Sequence, residues 1–527
     1  MRAARPALLP LLVVAAGALA WALRDRAAPE AWAGADPVVT DGGTAAHLRT
    51  VQLCLAAGQI PARDPFLDPP RGAPLPFPPL VDAALAGWAR YALAERGGDP
   101  SLGGVDEAAL ERLVGRVGPW LGALTALGVF LAVHSILGER RGRSWWALGA
   151  AVLFAVFPPA VRAGAAGRVD VAAVHALLAA FTVATAAQLV RAKEPADVLQ
   201  GGLTTGLLAG VAIACGPGAL LYVPISWVAA VLVVVRTRRS GDPALAATAR
   251  QAGLFLALAS AILASLASGR LARDGPASAW LTGASELSFA AGVPFLLGSL
   301  LGVVRGTRRG WFARGSLVVG AVVGVAILPL AATHLTRALA PLRPGDLLGG
   351  PPGGAVDAEL AGALRWMRRG TPSPGPWNAS GSRADYAVLA PESMGHALAY
   401  HARRPPLLSG YGDRVGGAAT RAAAALLTET DPAALALALR RRGVRYVVAG
   451  TAALAEIEDP LEGTVLWRLS TLVPDDAPEA QHFALVRAVG RRTREVGGET
   501  YTLPYFALYA LREPPISQES GPVLRAR

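Results

Sequence analysis

The feature that most constrains this chain is a series of long apolar runs confined to its first 336 positions. A bilayer core about 30 Å thick is crossed by roughly 20 predominantly apolar helical residues. Nine segments approach that length: Ala7–Leu23, Val117–Leu137, Trp145–Val161, Val171–Val190, Gly201–Cys215, Ala219–Val235, Gln251–Ser268, Phe289–Val304 and Ser316–Thr336. The composition agrees, with 53% hydrophobic and only 17% charged residues, against roughly a quarter charged in an ordinary soluble domain. A disordered chain and a conventional soluble enzyme are both excluded. The expected fold is an α-helical polytopic membrane protein of about nine spans with a C-terminal α/β soluble domain.

The formal net charge of +12 raises the question of a nucleic-acid partner, and its distribution argues against one. From Arg337 to Arg527 there are 22 arginines and 19 acidic residues, a surplus of three, so most of the excess belongs to the membrane part. Basic residues near span ends stay cytoplasmic, and alternate loops carry them here. These are Arg2 and Arg5; Arg140, Arg141 and Arg143; Arg191 and Lys193; Arg236, Arg238, Arg239 and Arg250; and Arg305, Arg308, Arg309 and Arg314. The short loops between hold only Arg162, Arg168, Arg270 and Arg273. The N-terminus is therefore expected inside, with the first large loop and the C-terminal domain outside. After the first run, Trp21-Ala22-Leu23-Arg24-Asp25-Arg26 lacks a small-residue cleavage site, so that run is read as an anchor. Cys54 and Cys215 are too few for a disulfide framework or a thiolate metal site and are read as buried thiols.

These signals divide the chain into an anchor (1–23), a large outer loop (24–116), a helix bundle (117–336), a linker (337–354) and an extracytoplasmic α/β domain (355–527). The outer loop is proline-rich and too long for a simple connection. In the last domain, Asp357 to Arg369 reads as a helix closed by Gly370 and Pro372. Asp385 to Ala390 and Val444 to Ala449 read as strands, and Asp431-Pro432 starts another helix. The spans contain almost no ionisable groups beyond His134, His175 and His334, each read as a satisfied histidine, and the chain has no internal repeat. Both facts oppose an ion-coupled transporter.

Carboxylates collect instead at the outer mouths of spans: Asp170 before the fourth, Glu286 before the eighth, and Asp41 in the outer loop. Asp170 is a natural N-cap and Glu286 favours a helix N-terminus through the dipole, while Asp41 also reads as a solvated loop aspartate. Together they are the oxygen ligands a hard divalent cation requires, and such an ion holds a diphosphate leaving group.

At this point the sequence resembles the catalytic subunit of oligosaccharyltransferase, a membrane glycosyltransferase of the GT-C type. The residues that carry the likeness are His47-Leu48-Arg49, Pro61-Ala62-Arg63-Asp64-Pro65-Phe66, Pro70-Arg71-Gly72-Ala73 and Phe77-Pro78-Pro79-Leu80, followed by Gly167 to Asp170 and Ser285-Glu286. Leu364-Arg365-Trp366-Met367, Tyr386 to Ala390 and Gly395 to Pro405 resemble the segment around the acceptor-recognition motif. The resemblance implies a multi-pass protein of a bacterial or archaeal-type plasma membrane that takes a polyprenyl-phosphate-linked glycan and a protein or glycan acceptor. It implies catalytic and metal roles for Asp41, Asp170 and Glu286 with Mg²⁺ or Mn²⁺, donor binding by His47 and Arg49, and acceptor binding by Glu392, Ser393 and His396. The alternative is a catalytically silent relative that binds lipid-linked glycan or scaffolds a partner.

Departures from the family accompany the likeness. Its first aspartate falls on Gly43, two residues from Asp41, and its paired histidines after Asp170 fall on Val171 and Ala172. Its Trp-Trp-Asp-Tyr-Gly motif reads Pro391-Glu392-Ser393-Met394-Gly395, and Asn378-Ala379-Ser380 is itself an acceptor-type tripeptide. The arginine pattern makes a direct prediction about sidedness. Single cysteines at Arg239 and Gly410 should be labelled from the inside and the outside respectively; the reverse pattern overturns the assigned orientation.

Overall fold

The computed structural model describes residues 5–27, 39, 41–95, 107–271, 275–304, 326–338, 356–377, 383–412, 415–455, 462–496 and 499–513. The chain divides into two compact units, Met1–Ala62 with Pro74–Pro352, and Arg63–Ala73 with Gly353–Arg527. The short segment Arg63–Ala73, read from sequence as part of one outer loop, thus belongs to the unit that carries the C-terminal residues.

The first unit is a helix bundle, with α1 Arg5–Arg26, α2 Gly42–Ala57, α3 Leu80–Ala94, α4 Glu107–Gly115, α5 Val117–Leu137 and α6 Arg143–Val156. It continues with α7 Pro158–Ala163, α8 Val171–Arg191, α9 Pro195–Cys215, α10 Val223–Arg239, α11 Pro243–Leu271, α12 Gly275–Val304 and a helix α13 over 326–338. Among the described residues six helices are long and apolar enough to cross a bilayer, against the nine spans expected for the whole chain. The run Trp145–Val161 is broken because Phe157 precedes Pro158 and Pro159 and is extended, as residues before proline usually are. The helix that remains, α6, has 14 residues. The run Phe289–Val304 is only the second half of α12. The first ten residues of Ser316–Thr336, the linker Gly345 to Gly354 and the basic loop Arg305 to Arg314 lie outside the described residues.

Lipid tails are as apolar as leucine, so spans associate by close packing of small residues. On α9, Gly202, Gly206 and Gly210 recur every four residues and form one stripe against α11. A Cβ at Gly202 would stand 2.5 Å from the Ala252 carbonyl, and one at Gly206 would stand 2.6 Å from Leu256 backbone atoms. A second close approach holds the turn between α7 and α8. A Cβ at Gly118 would stand 2.7 Å from the Gly164 carbonyl, and the Gly167 amide donates to Gly115 at 2.9 Å. Beneath this turn lies the fully buried Arg24 of α1. Its Nη1 donates to the Ala20 carbonyl at 2.9 Å, its guanidinium sits 5.1 Å from the Phe154 ring, and its carbonyl accepts from the Ala166 amide at 3.0 Å.

In the second unit a four-stranded sheet runs in the order β1-β2-β6-β3, with β1 Ala387–Leu389, β2 Val444–Ala449, β3 Phe483–Val489 and β6 Phe506–Leu511. β1 and β2 are parallel and the other pairs antiparallel. β4 Arg492–Val496 and β5 Glu499–Leu503 form a separate hairpin. The helices Ala358–Gly370 and Pro432–Arg441 are capped by Asp357 and Asp431, as their sequences require. Arg63–Ala73 closes on itself through amide-to-carbonyl bonds of 2.9 and 3.1 Å between Asp64 and Ala73.

The glycine stripe predicts that Gly206→Val separates α9 from α11. Overpacking of this kind usually costs about 1–3 kcal/mol, so the detergent-solubilised variant should melt well below the parent. Gly149→Val, at a position with open space around it, should leave melting unchanged.

Candidate active site at the start of α2 and α8

Two of the carboxylates chosen from sequence are brought together by helix capping. Asp41 is extended (φ −150°) and caps α2, accepting from the Thr44 amide at 2.9 Å and from the Thr44 hydroxyl at 2.7 Å. Thr44 Oγ1 in turn accepts from the Val169 amide at 2.9 Å, the residue before Asp170. Asp170 caps α8 and accepts from the Ala172 amide at 2.7 Å. Arg168 Nε lies 3.8 Å from Asp41 Oδ2, a second and weaker link between the same two helix starts.

Beside these caps, α2 carries His47 and Arg49, both buried. His47 Nδ1 is 2.6 Å from Oδ1 of the buried Asp82 on α3. Burial disfavours a charged imidazole, but the neighbouring Asp82 and the bond to it, then Asp170 and Asp41, outweigh this and raise the His47 pKa above its ordinary value. The imidazolium so favoured is a donor at both nitrogens. Its Nε2 is buried and has no hydrogen-bond partner among the described residues. A buried donor of this kind is normally satisfied, so the arrangement can receive an anion or a hydroxyl oxygen.

Glu286 is not at a helix start, as the sequence had indicated. It lies well inside α12, whose first residue is Gly275, and its Oε2 is 2.9 Å from Nδ1 of His334 on α13. Gly283 permits that approach, since a Cβ there would stand 2.9 Å from the His334 Cβ. His334 is thus paired, and His175 likewise shares a 2.9 Å hydrogen bond with the Tyr222 hydroxyl. Asp41 directs both oxygens to Thr44, and Glu286 is engaged by His334. Among the described residues no group of three His, Cys, Asp or Glu side chains could hold a metal ion. The expected three-carboxylate site for Mg²⁺ or Mn²⁺ is therefore not assembled by these side chains.

The residues nominated for acceptor binding lie in the second unit. Glu392 and Ser393 are half-buried in a single turn, Glu392–Met394. His396 is buried, with its ring edge-on to Tyr411 at 4.4 Å between centroids. Asn378 to Ser380 lie outside the described residues. Sequence reading missed Asp82 and Thr44. Asp82 follows Phe77-Pro78-Pro79-Leu80 by two residues, and an acidic side chain in an apolar helix turn is a signal that it pairs with something basic. Thr44 stands three residues after Asp41, the spacing of a side-chain cap.

No family model and no curated protein matches the sequence. Solved structures do. An archaeal oligosaccharyltransferase, AglB from Archaeoglobus fulgidus, solved with an inhibitory peptide and a dolichol-phosphate, is 12% identical, with 99% of this chain and 76% of that one aligned at a TM-score of 0.56. The Archaeoglobus fulgidus oligosaccharyltransferase solved with Zn and sulfate is 14% identical, covering 93% and 72% at 0.55. The same enzyme tethered to an acceptor peptide containing the NVT sequon is 13% identical, covering 97% and 75% at 0.55. The chain has an oligosaccharyltransferase-like fold, in accord with the resemblance read from its motifs.

The raised His47 pKa carries a pH prediction. Because the folded value exceeds the unfolded value of about 6.5, this group stabilises the fold fully below that pH. The contribution is lost as pH rises through the folded value. Asp82→Asn should lower the His47 pKa, seen by NMR titration of labelled histidine, and flatten the fall in melting temperature above pH 6.5.

Proposed function

We propose that this membrane protein is a glycosyltransferase of oligosaccharyltransferase type. It would transfer a sugar or oligosaccharide from a polyprenyl-phosphate or polyprenyl-diphosphate carrier to an acceptor on the outer membrane face. The observation that carries the reading is the buried, unpartnered Nε2 of His47, held beside Asp41 and Asp170 on an oligosaccharyltransferase-like fold.

In this reading the His47 imidazolium, kept charged by Asp82, donates from Nε2 to a phosphate oxygen of the carrier. It thereby stabilises the charge that builds on the leaving group, and Arg49 on the same helix adds a second positive charge. Such preorganised donors act most strongly on charge that develops in the transition state. Asp170 orients the acceptor nucleophile and takes its proton, while Thr44 holds Asp41 and the start of α8 in register. Glu286, joined to His334, keeps α12 and α13 together on the acceptor side. For the protein or glycan acceptor the nominated residues remain the half-buried Glu392 and Ser393 and the buried His396 of the second unit. Ser393 stands where the family has an aspartate, so the hydroxyl of an Asn-x-Ser/Thr peptide finds no carboxylate acceptor. A site without that buried partner loses the means to reject peptides lacking the hydroxyl.

The second reading, a silent relative that binds lipid-linked glycan, is favoured by one observation: the expected carboxylates do not form a three-ligand group. A single assay separates the two, using purified protein, a polyprenyl-diphosphate-linked sugar, paired Asn-x-Thr and Asn-x-Ala peptides, and buffers with and without Mn²⁺. Transfer with little preference between the peptides is expected, falling roughly 10²–10³-fold in His47→Ala, the size of effect seen when one charge-stabilising donor is lost, and abolished in Asp170→Ala. Near-normal turnover in both variants overturns the proposed site. Carrier binding that requires His47 without any turnover establishes the silent relative.

A further inference from the structure

A cavity of about 720 Å³ rimmed by charged side chains opens at the opposite end of α8, one of the two helices that carry the candidate site. Asp170 starts α8 and Arg191 ends it. At about 1.5 Å per residue the 21 residues between separate the two places by roughly 30 Å, so the cavity shares no group with the candidate active site. Its volume lies in the usual range for small-molecule sites, about 300–1,000 Å³.

The charged lining is balanced and unevenly paired. It contains Arg143, Arg191 and Lys193 against Glu139, Glu194 and Asp197. Arg143 and Arg191 donate to the Gly138 and Ile136 carbonyls at the end of α5, and Gly138, with φ +59°, leaves the space that the Arg191 guanidinium occupies. Lys193 Nζ is 3.2 Å from Glu139. All three cations act on Glu139 and hold its carboxyl below the usual carboxylate range, with the Lys193 hydrogen bond and charge the leading causes. Among the described residues Glu194 and Asp197 have no ion pair. The cations still have N–H groups to offer, because a guanidinium has five donors and an ammonium three.

The position identifies the occupant. The cavity lies where α5, α8 and α9 end, which for spanning helices is the level of lipid headgroups. Beside Arg143, Trp145 and Trp146 stand 61% and 72% exposed, and exposed tryptophans of this kind mark the membrane interface. A simple anion would be drawn to the arginines and repelled by Glu194 and Asp197; a simple cation would meet the reverse. A ligand with both charges a few bonds apart satisfies both sets.

We propose that this cavity binds a phospholipid headgroup that carries both a phosphate and a protonated primary amine. The phosphate engages Arg143, Arg191 and Lys193, and the ammonium engages Glu194 and Asp197 through N–H donors. The site is independent of the transferase reading, and its test needs no turnover.

Purified full-length protein in a neutral detergent is titrated with short-chain phosphatidylethanolamine, phosphatidylcholine and phosphatidylglycerol, with binding followed by native mass spectrometry and melting temperature. The ethanolamine lipid should bind roughly tenfold tighter than either of the others, the order of effect expected for a charge-assisted hydrogen bond. The double variant Glu194→Gln/Asp197→Asn should bring the three lipids to equal affinity while melting normally without lipid. If that variant fails to fold, the ranking of the three lipids on the parent decides. Equal binding of all three by the parent overturns the proposal, as does a preference that survives the double substitution. Free O-phosphoethanolamine that binds as tightly as the lipid also overturns it, since a soluble ligand is then the occupant.

Discussion

The hydrogen bond from the Val169 amide to Thr44 Oγ1 is the contact on which the candidate site depends. Thr44 is also the residue that engages both oxygens of Asp41, so one hydroxyl joins the start of α2 to the start of α8. Remove it and each aspartate still caps its own helix, but nothing in that chain of bonds obliges the two helix starts to meet. The distinction matters because capping and catalysis use the same carboxylates. A cap orients a carboxylate toward its own helix; only the link between helices places two of them around His47.

The membrane bundle supports this arrangement by bringing backbones very close. The turn before α8 rests on Gly118 and on the buried Arg24, whose side chain occupies space that a Cβ at Gly122 or Gly164 would fill. A buried guanidinium is expensive unless its environment is polar or aromatic, and here carbonyls and the Phe154 ring receive it. Because the turn packs against rigid helices, Asp170 stands on scaffold and not on a loose loop. Position of that quality is what the proposed role of Asp170, orienting an acceptor nucleophile and taking its proton, demands.

Much of this was legible in the sequence, for physical reasons that differ from residue to residue. Val117–Leu137 was read to the residue because an apolar run bounded by Arg116 and Gly138 has few alternatives, and Val444–Ala449 because a short β-branched run after Gly443 has few either. The span at Trp145 failed because hydropathy ignores what Pro158 and Pro159 do to the backbone before them. Glu286 was misplaced because the hydropathy rises only well after the true start of α12 at Gly275. Asp82 was overlooked because the one local signal, an acid in an apolar helix turn, does not name its partner, and its significance is a distance to His47 in another helix. Asp41 and Asp170 were singled out only as carboxylates at one membrane level; that Asp41 caps α2, and that the Thr44 hydroxyl bonds across to the Val169 amide, are long-range features of the fold.

The membership of Arg63–Ala73 in the second unit bears on how the protein is made. This piece leaves the ribosome directly after α2, whereas its partners in the same compact unit begin only at Gly353. At about 5–20 residues per second, the wait is on the order of tens of seconds, during which the whole helix bundle must be inserted. The piece has local closure of its own, through the paired amides of Asp64 and Ala73 with Asp64 Oδ1 accepting from the Phe66 amide at 2.9 Å, but so short a closure is at best marginally stable by itself. The soluble unit is therefore finished late and from non-adjacent parts, so a ribosome stalled before Gly353 would leave a fully inserted bundle displaying an orphaned fragment, a state that cellular quality control could recognise.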